Sequence, residues 1–179
     1  MKGIVVESPW YVIQTRSRFE KKCTNYLIKC GVSAYLPLTK KKNVWSDRIK
    51  EVEVPLFPGY LFIQFSENER YKILNTPGIV RFVSFGGKYA TVNSKHLEAI
   101  KIAISTNFEL EVIDTTFEPG QEVLITSGPF KDNYAQIIRH NGKGKLLLSL
   151  YSIGKGIVLE IGQTQVEALN NSVRLKASA

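Results

Sequence analysis

The side chains that most often carry out catalysis are scarce in this chain. Neither of its two histidines, His96 and His140, has a cysteine, serine or carboxylate at the spacing of a catalytic triad or a metal site. The Gly86-Gly87-Lys88 segment resembles a phosphate-binding loop only loosely, since the rest of the motif is missing, and a hairpin turn explains it better. The sequence therefore predicts a protein that is not an enzyme and that holds no metal or cofactor.

The two cysteines do not suggest chemistry either. Cys23 and Cys30 lie on one predicted helix, roughly 10 Å apart along its axis, which is too far for a disulfide and fits no common zinc pattern. Residues 1–7 contain too short an apolar run for a signal peptide or a membrane span. We expect reduced thiols and a cytoplasmic protein.

Binding to phosphate is the chemistry that the charges favour. Residues 1–107 hold 17 Lys and Arg against 8 Asp and Glu, a net +9, whereas residues 108–179 hold 7 against 8, a net −1. This asymmetry predicts one module that faces nucleic acid and another that faces something else. The candidate nucleic-acid-binding residues are Arg16, Arg18, Lys21 and Lys22, with Lys29, Lys40, Lys41, Lys42, Arg48 and Lys50 in addition. The alternative is a solvated helix face with a charged loop.

The elements that position these residues are organised around the stretch 54–65. Pro55, Pro58 and Gly59 predict an extended entry and a tight bend, followed directly by a strand. In that strand an aliphatic face alternates with an aromatic one, so we expect the core to cover one side and a helix or a partner to cover the other. Four aromatic residues could line an apolar patch for a partner helix or could pack in the core: Trp10, Tyr11, Phe57 and Tyr60. For Trp10 we favour core packing.

Around this strand the pattern predicts a small sheet covered by helices. A strand at 10–14 precedes a helix that starts at the capping box of Ser17 and Glu20 and ends at Gly31. The buried stripe expected for that helix is Phe19, Cys23, Tyr26, Leu27 and Cys30. Next come a strand at 34–38, a polar segment at 40–43 and a hairpin of 44–45 with 48–54. A helix capped by Ser66 and Glu69 should turn Tyr71 and Leu74 inward, and a strand follows at 79–85. The last helix of this part starts at Ser94, with four inward residues: Leu97, Ile100, Ala103 and Ile104.

The last third of the chain has a different pattern. Residues 105–117 lose periodicity, so we place a linker at 108–117, between a domain at 1–107 and a second domain with a C-terminal tail at 118–179. Five short apolar runs separated by turn residues predict a small all-β barrel. These runs are 121–126, 134–139, 145–151, 156–161 and 165–168.

Several motifs together resemble the NusG family of transcription elongation factors across residues 10–169. They are Trp10-Tyr11-Val12-Ile13-Gln14, Phe57-Pro58-Gly59-Tyr60, Pro77-Gly78-Ile79-Val80, and Phe117-Glu118-Pro119-Gly120 with Gly128-Pro129-Phe130. The resemblance implies an α+β N-terminal NGN domain, with an antiparallel sheet flanked by helices, and a small SH3-like KOW barrel. It also implies that the NGN domain binds the clamp helices of RNA polymerase, through Trp10, Leu38, Phe57 and Tyr60, and that the protein is a monomer.

Within the family, the sequence is similar to the specialised paralogues RfaH and UpxY. The resemblance is carried by Pro55-Leu56-Phe57-Pro58 and the run Leu146-Leu147-Leu148-Ser149-Leu150, and it implies antitermination on long operons such as surface polysaccharide clusters. Non-template or upstream DNA would be a further partner. Ala135 replaces the usual KOW glycine and Ile153 replaces a partner-docking aromatic, which weakens the implied contact of Phe130 and Ile153 with a ribosomal or termination factor. The alternatives are a general NusG-type factor and a KOW-containing ribosomal or RNA-processing protein.

Overall fold

The computed structural model describes residues 9–44, 49–106, 110–114, 121–140, 143–150, 153–159 and 166–168. Its contacts divide the chain into two compact units, Met1–Ser94 and Lys95–Ala179. This division precedes the last helix of the chain, whereas the sequence places the domain boundary after that helix, at residue 107. The limits given above for the domains and the linker stay a prediction.

The first unit is built on an antiparallel sheet. The strands of this unit are β1 Trp10–Thr15, β2 Ser33–Tyr35, β3 Leu38–Val44, β4 Ile49–Pro55, β5 Tyr60–Gln64, β6 Ile79–Phe82, β7 Ser84–Phe85, β8 Lys88–Tyr89 and β9 Thr91–Val92. β3 pairs with β4 and β7 with β8, each as a separate two-stranded sheet. The helices of the unit are α1 Glu20–Lys29 and α2 Arg70–Leu74, the second preceded by a 3₁₀ turn at Glu67–Glu69. The sheet order is β2-β5-β1-β6, with β9 also paired to β1. The central strand of the motif, β5, therefore lies inside the sheet, as the apolar character of both its faces predicts.

The aliphatic side of this sheet packs against the two helices. Ile13 of β1 pairs with Leu61 of β5, and both side chains join Cys23 and Leu27 of α1 in one buried cluster. Ile73 of α2 belongs to the same cluster and has no exposed surface. Each large aliphatic side chain buried in this way contributes about 1.5–3 kcal/mol. The expected aliphatic face of the central strand is confirmed.

The start of α1 differs from the expected capping box. Phe19 occupies the N-cap position without a side-chain cap, and the helix begins at Glu20. The Glu20 carboxylate instead accepts a hydrogen bond from the Gly59 amide, 39 residues further along the chain. Tyr26, which the sequence places in the buried stripe, is 47% exposed. Gly31 ends the helix as expected, with the positive φ of 84° that glycine tolerates best.

The second predicted capping box is confirmed. The amide and hydroxyl of Ser66 both donate to Oε2 of Glu69, at 2.7 and 3.0 Å, and these bonds hold the pKa of Glu69 below its ordinary value. The inward face predicted for α2 is wrong, because the helix turns a different residue toward the cluster that contains Leu61. That residue is Ile73, while Tyr71 and Leu74 are 81% and 41% exposed.

A two-stranded sheet, formed by β3 and β4, extends further than the sequence predicts. Its pairing runs from Leu38 opposite Pro55 to Val44 opposite Ile49, so Lys40, Lys41 and Lys42 belong to a strand rather than to a polar segment. The strand predicted at 34–38 is correspondingly divided between β2 and β3. Residues 45–48, the expected turn, lie outside the described residues.

From Ser94 onward the chain forms a helix and a second sheet. The elements are α3 Ser94–Ser105, β10 Glu111–Asp114, β11 Gln121–Ile125, β12 Tyr134–His140, β13 Lys143–Leu150, β14 Lys155–Leu159 and β15 Val166–Ala168. The strands form an antiparallel sheet of order β10-β14-β13-β12-β11-β15. All five expected strands are present, and the strand-rich C-terminal region predicted from the sequence is confirmed. Residues 111–114, inside the segment predicted as a linker, form a further strand paired with β14.

Candidate functional site

A turn at residues 56–59 is held in place by hydrogen bonds to other segments of the first unit. The Leu56 amide donates to the Pro37 carbonyl at 2.8 Å, and the Thr15 amide donates to the Gly59 carbonyl at 2.9 Å. Gly59 has a φ of 81°, which favours glycine over any residue with a Cβ. Its amide donates to Oε1 of Glu20 at 2.8 Å, and Glu20 is only 4% exposed. Three other segments of the chain, at Thr15, Glu20 and Pro37, therefore fix the turn that leads into Tyr60.

The aromatic side of the sheet is closed at its centre. Val12 of β1 and Phe62 of β5 are register partners, and both are fully buried. Phe57 contacts Phe62 edge-on, with ring centroids 5.9 Å apart, and is also fully buried. The structure therefore makes Phe57 a core residue, in contrast to the surface contact expected from the sequence. Its side chain supports Phe62 from beneath and presents no surface to a partner.

Two half-exposed aromatic residues mark the ends of this same side. Tyr60 pairs with Gln14 at one end of β1, and Trp10 lies at the other end, where its ring meets that of Tyr35 edge-on at 6.4 Å. Trp10 and Gln14 are four positions apart along β1, which is roughly 13 Å. Burial raises the pKa of Tyr35 to about 12. The two aromatic residues are therefore separate contact points on one side of the sheet.

Leu38 and Tyr11 lie on the opposite side. Both are partly buried and pack against the aliphatic cluster formed with α1 and α2. Tyr11 meets Phe65 at 4.9 Å between ring centroids. Of the four residues expected to form the polymerase seat, the structure thus places Trp10 and Tyr60 at the surface of one side, Phe57 beneath it, and Leu38 elsewhere.

Four of the basic residues expected to bind nucleic acid are exposed, and they differ in their contacts: Arg16, Arg18, Lys21 and Lys22. Lys21 is engaged with the hairpin, since its Nζ donates to the Glu53 carbonyl at 3.1 Å and lies 3.5 Å from the Glu53 carboxylate. Lys22 lies over the Phe19 ring at 5.4 Å. Arg16 and Arg18 occupy the loop after β1, and among the described residues neither has a carboxylate within ion-pair distance.

Backbone geometry fixes this loop. The Arg16 amide donates to the Gly78 carbonyl at 2.8 Å, and Arg18 adopts a φ of 66°, which is uncommon for a residue with a side chain. Gly78 itself packs so closely on Phe19 that an added Cβ would lie 2.5 Å from its ring. The loop that carries Arg16 and Arg18 is therefore positioned by the turn at Pro77-Gly78, beside the start of β6.

Sequence reasoning missed one pair of polar residues on the aromatic side. Nε of Arg81 donates to Oε1 of Gln14 at 2.8 Å, and the two residues are register partners across β6 and β1. The signal was available in the alternation of β6, because Phe82 belongs to the aliphatic cluster and its neighbour Arg81 must face the other way. Arg81, Gln14 and Tyr60 consequently form a row across three strands.

In the second unit, both residues expected to bind another factor are buried. Phe130 and Ile153 are 1% and 7% exposed. Ala135, at the position of the usual KOW glycine, is also buried, where a small side chain fits the packed interior. Within the described ranges, no helix is long and apolar enough to span a membrane, and no group of three or more His, Cys, Asp and Glu side chains is arranged to hold a metal ion.

Comparisons with known proteins agree with this architecture. The family described as "Transcription termination factor nusG" matches residues 8–101, just over half of the chain. The transcription termination/antitermination protein NusG of Staphylococcus aureus strain Mu50 is 25% identical over 173 residues, covering 89% of this chain and 95% of its own. The solved structure of NusG from Thermotoga maritima, 23% identical, superposes with a TM-score of 0.53 over 92% of this chain and 98% of its own.

Proposed function

Because the chain belongs to the NusG family, we propose that it is a transcription elongation and antitermination factor that binds RNA polymerase through its first unit. The observation that carries the proposal is Tyr60, half-exposed on the aromatic side of the sheet at the end of a turn anchored by Thr15 and Glu20. The polymerase clamp would contact Tyr60 at one end of this side, and Trp10 at the other end is a second candidate contact. A rigid aromatic side chain loses little entropy when a partner covers it.

The mechanism proposed for such a factor is a shift in population. A protein that spans the polymerase clamp and the facing lobe would bind the closed clamp better than an open one, and would so disfavour opening. A ligand stabilises whichever state it binds more tightly, by the difference between the two binding free energies. Pausing and termination would therefore be suppressed. Binding and positioning suffice for this role, in keeping with a family of transcription factors rather than enzymes.

We assign nucleic-acid contact to the loop that carries Arg16 and Arg18, with Lys22 of α1 beside it. These side chains are exposed and have no carboxylate partner among the described residues, so their charge is available to phosphate. Lys21 is a weaker candidate, because Glu53 already neutralises much of its charge. The non-template strand or the upstream duplex, exposed beside the polymerase, would be the ligand.

We further propose that the factor serves particular long operons, such as surface polysaccharide clusters. The support is the resemblance of Pro55-Leu56-Phe57-Pro58 and of the leucine-rich strand β13 to specialised paralogues. Ile153 adds to this, because it replaces a partner-docking aromatic and is itself buried. Without an exposed aromatic residue at this position, we expect the second unit to bind a ribosomal or termination factor more weakly.

The second candidate is a general NusG-type factor that couples polymerase to the ribosome or to a termination factor. Its support is the similarity to the Staphylococcus aureus NusG, which extends over 89% of this chain and so includes both units. A gene at the head of a long biosynthetic operon, in a genome that encodes another NusG elsewhere, would favour the specialised factor. A sole copy outside such an operon would favour the general one. The family match at residues 8–101 argues against a ribosomal or RNA-processing protein.

Transcription in vitro with the host polymerase tests the proposal directly. On a template with a pause site and an intrinsic terminator, the wild-type protein should shorten the pause and raise read-through. Tyr60→Ala should lose most of this effect while keeping its circular dichroism spectrum. Lys88→Gln, an exposed change on β8, is the control and should behave as wild type. A wild-type protein that neither binds the polymerase nor alters pausing would overturn the proposed function.

A further inference from the structure

The row formed by Arg81, Gln14 and Tyr60 has the features of a contact for an anionic group. Arg81 is exposed, and its Nε is held by Oε1 of Gln14 at 2.8 Å. A guanidinium has five N–H donors in a planar fork, so the bond to Gln14 leaves the two terminal nitrogens free to donate. Among the described residues, no carboxylate lies within ion-pair distance of Arg81. The fork is therefore oriented by a neutral neighbour and keeps its full charge.

Gln14 is neutral, so it can orient Arg81 without neutralising its charge. A glutamate at the same place would form an ion pair with Arg81 and would satisfy its charge within the chain. Gln14 instead supplies one acceptor, which restricts the rotation of the arginine side chain without competing for its charge. Restricting a side chain before binding reduces the entropy lost when the ligand is bound. The pair has the arrangement of a preoriented receptor for a carboxylate or a phosphate.

The position of Arg81 on the sheet indicates which of these two anions it binds. Gln14 is the register partner of both Arg81 and Tyr60, so all three side chains emerge from the same side of the sheet. Tyr60 and Arg81 lie two strands apart, roughly 10 Å, so a helix seated over Tyr60 would also reach Arg81. Arg16 and Arg18, by contrast, belong to a loop beyond the end of β1. Under the proposed function, the molecule on the sheet is the polymerase and the molecule at the loop is DNA.

We infer that Arg81, positioned by Gln14, binds a carboxylate of the RNA polymerase segment that covers Tyr60. This inference rests on the proposed function, and it adds a charged specificity contact to the aromatic seat. The planar fork can donate to both oxygens of one carboxylate, which fixes the orientation of the partner as well as adding affinity. Arg81 thereby determines which acidic residue of the polymerase can lie beside Tyr60, and hence the register in which the partner helix is seated.

The experiment is a binding measurement with the full-length protein and core RNA polymerase in the absence of nucleic acid. Arg81→Gln should raise the Kd roughly tenfold, since a charge-assisted bidentate contact is lost. Arg81→Lys should recover only part of the affinity, because an ammonium keeps the charge but lacks the fork. Lys88→Gln removes an exposed charge of the same sign elsewhere and should leave the Kd unchanged.

Gln14→Glu tests whether the Gln14–Arg81 pair serves polymerase binding or only stabilises the sheet. A carboxylate at position 14 would pair with Arg81 within the chain, so we expect polymerase binding to weaken while the melting temperature stays the same or rises. If the Gln14–Arg81 pair served only to stabilise the sheet, this variant would bind at least as well as wild type. That result would overturn the inference.

Tyr60→Ala in the same assay distinguishes failure of this inference from failure of the proposed function. If Tyr60→Ala loses binding and Arg81→Gln does not, the aromatic seat stands and the carboxylate contact is overturned. If both bind as wild type, this side of the sheet is not the polymerase interface, and both proposals fail. If Arg81→Gln weakens binding only when DNA is present, the ligand is a phosphate, which also overturns the carboxylate contact.

Discussion

At the residue scale, burial separates two aromatic residues that the sequence groups together. Phe57 is fully buried and Tyr60 half-exposed, so we expect opposite effects from their substitution. Phe57→Ala should lower the free energy of unfolding by about 3–5 kcal/mol through the cavity left beside Phe62. Tyr60→Ala should change stability little and lower polymerase affinity. Denaturant unfolding and a pull-down on both variants check this, and a stable Phe57→Ala protein with impaired binding would restore Phe57 as a direct contact.

Glu20 is a second residue whose role the structure redefines. Its buried carboxylate accepts the Gly59 amide at 2.8 Å, so Glu20→Ala should leave that amide without a partner, at a cost of about 1–3 kcal/mol. Glu20→Gln keeps an acceptor oxygen and should recover most of the loss. Thermal unfolding of the two variants measures the difference. Equal stabilities would show that the packing of the turn, and not this bond, holds Gly59.

Substitutions of the basic residues test which of them contact nucleic acid. Arg16→Glu with Lys22→Glu should weaken recruitment to a transcription complex that contains DNA, and each lost phosphate contact should lower the salt slope by about one. Lys21→Gln, whose charge is already paired with Glu53, should change the slope less. A titration over a range of salt concentrations gives the slopes. Unchanged slopes for all variants would leave these residues as a solvated surface.

At the scale of elements, the sequence predicted those whose signals are local. The turn before Tyr60, the capping box at Ser66 and Glu69, the glycine end of α1 and the five strands after residue 120 all follow from residue types that act on their own backbone. The aliphatic face of β5 followed from alternation. These signals were sufficient to identify the α+β and all-β parts.

The features that sequence reasoning missed depend on contacts between distant segments. Glu20 bonds to Gly59 rather than capping its own helix, and the burial of Phe57 depends on Phe62 and its surroundings. β10 exists because it pairs with β14, some forty residues away, and no local pattern in 111–114 indicates that partner. The Arg81–Gln14 pair likewise spans 67 residues. A single sequence shows the faces of elements but not which elements they meet.

β10 gives a prediction of its own. Asp114 and Lys155 are register partners joined by a short ion pair, and the Glu111 carboxylate lies 3.7 Å from Lys145. Asp114→Asn with Glu111→Gln should loosen this strand while leaving the rest of the sheet intact, with a cost of about 1 kcal/mol or less because both carboxylates are exposed. Amide exchange should accelerate in β10 and along β14. Exchange that stays as slow as in wild type would show that the backbone pairing alone holds the strand.

At the scale of the whole molecule, the question is whether the second unit keeps its strands when it is part of the full chain. The resemblance to RfaH suggests an alternative form, a helical hairpin over 145–166. Its second helix, over 156–166, would contain Gly156 and Gly162, each costing roughly 1 kcal/mol relative to alanine. Gly154 adopts a φ of 62°, outside the helical region. The strand form instead satisfies the backbone of β13 on both sides, through β12 and β14.

The last prediction is therefore that amide and Cα chemical shifts across 143–150 and 155–159 are those of strands in the full-length protein. Ile157, Leu148 and Leu159 are fully buried between neighbouring strands, and a helix would have to expose or repack them. β10 adds pairing to the outer edge of β14, which a helix would forfeit. The leucine-rich run 146–150 favours helix by propensity, so it is the segment to follow. Helical shifts there in the free protein would show that the second unit adopts another fold.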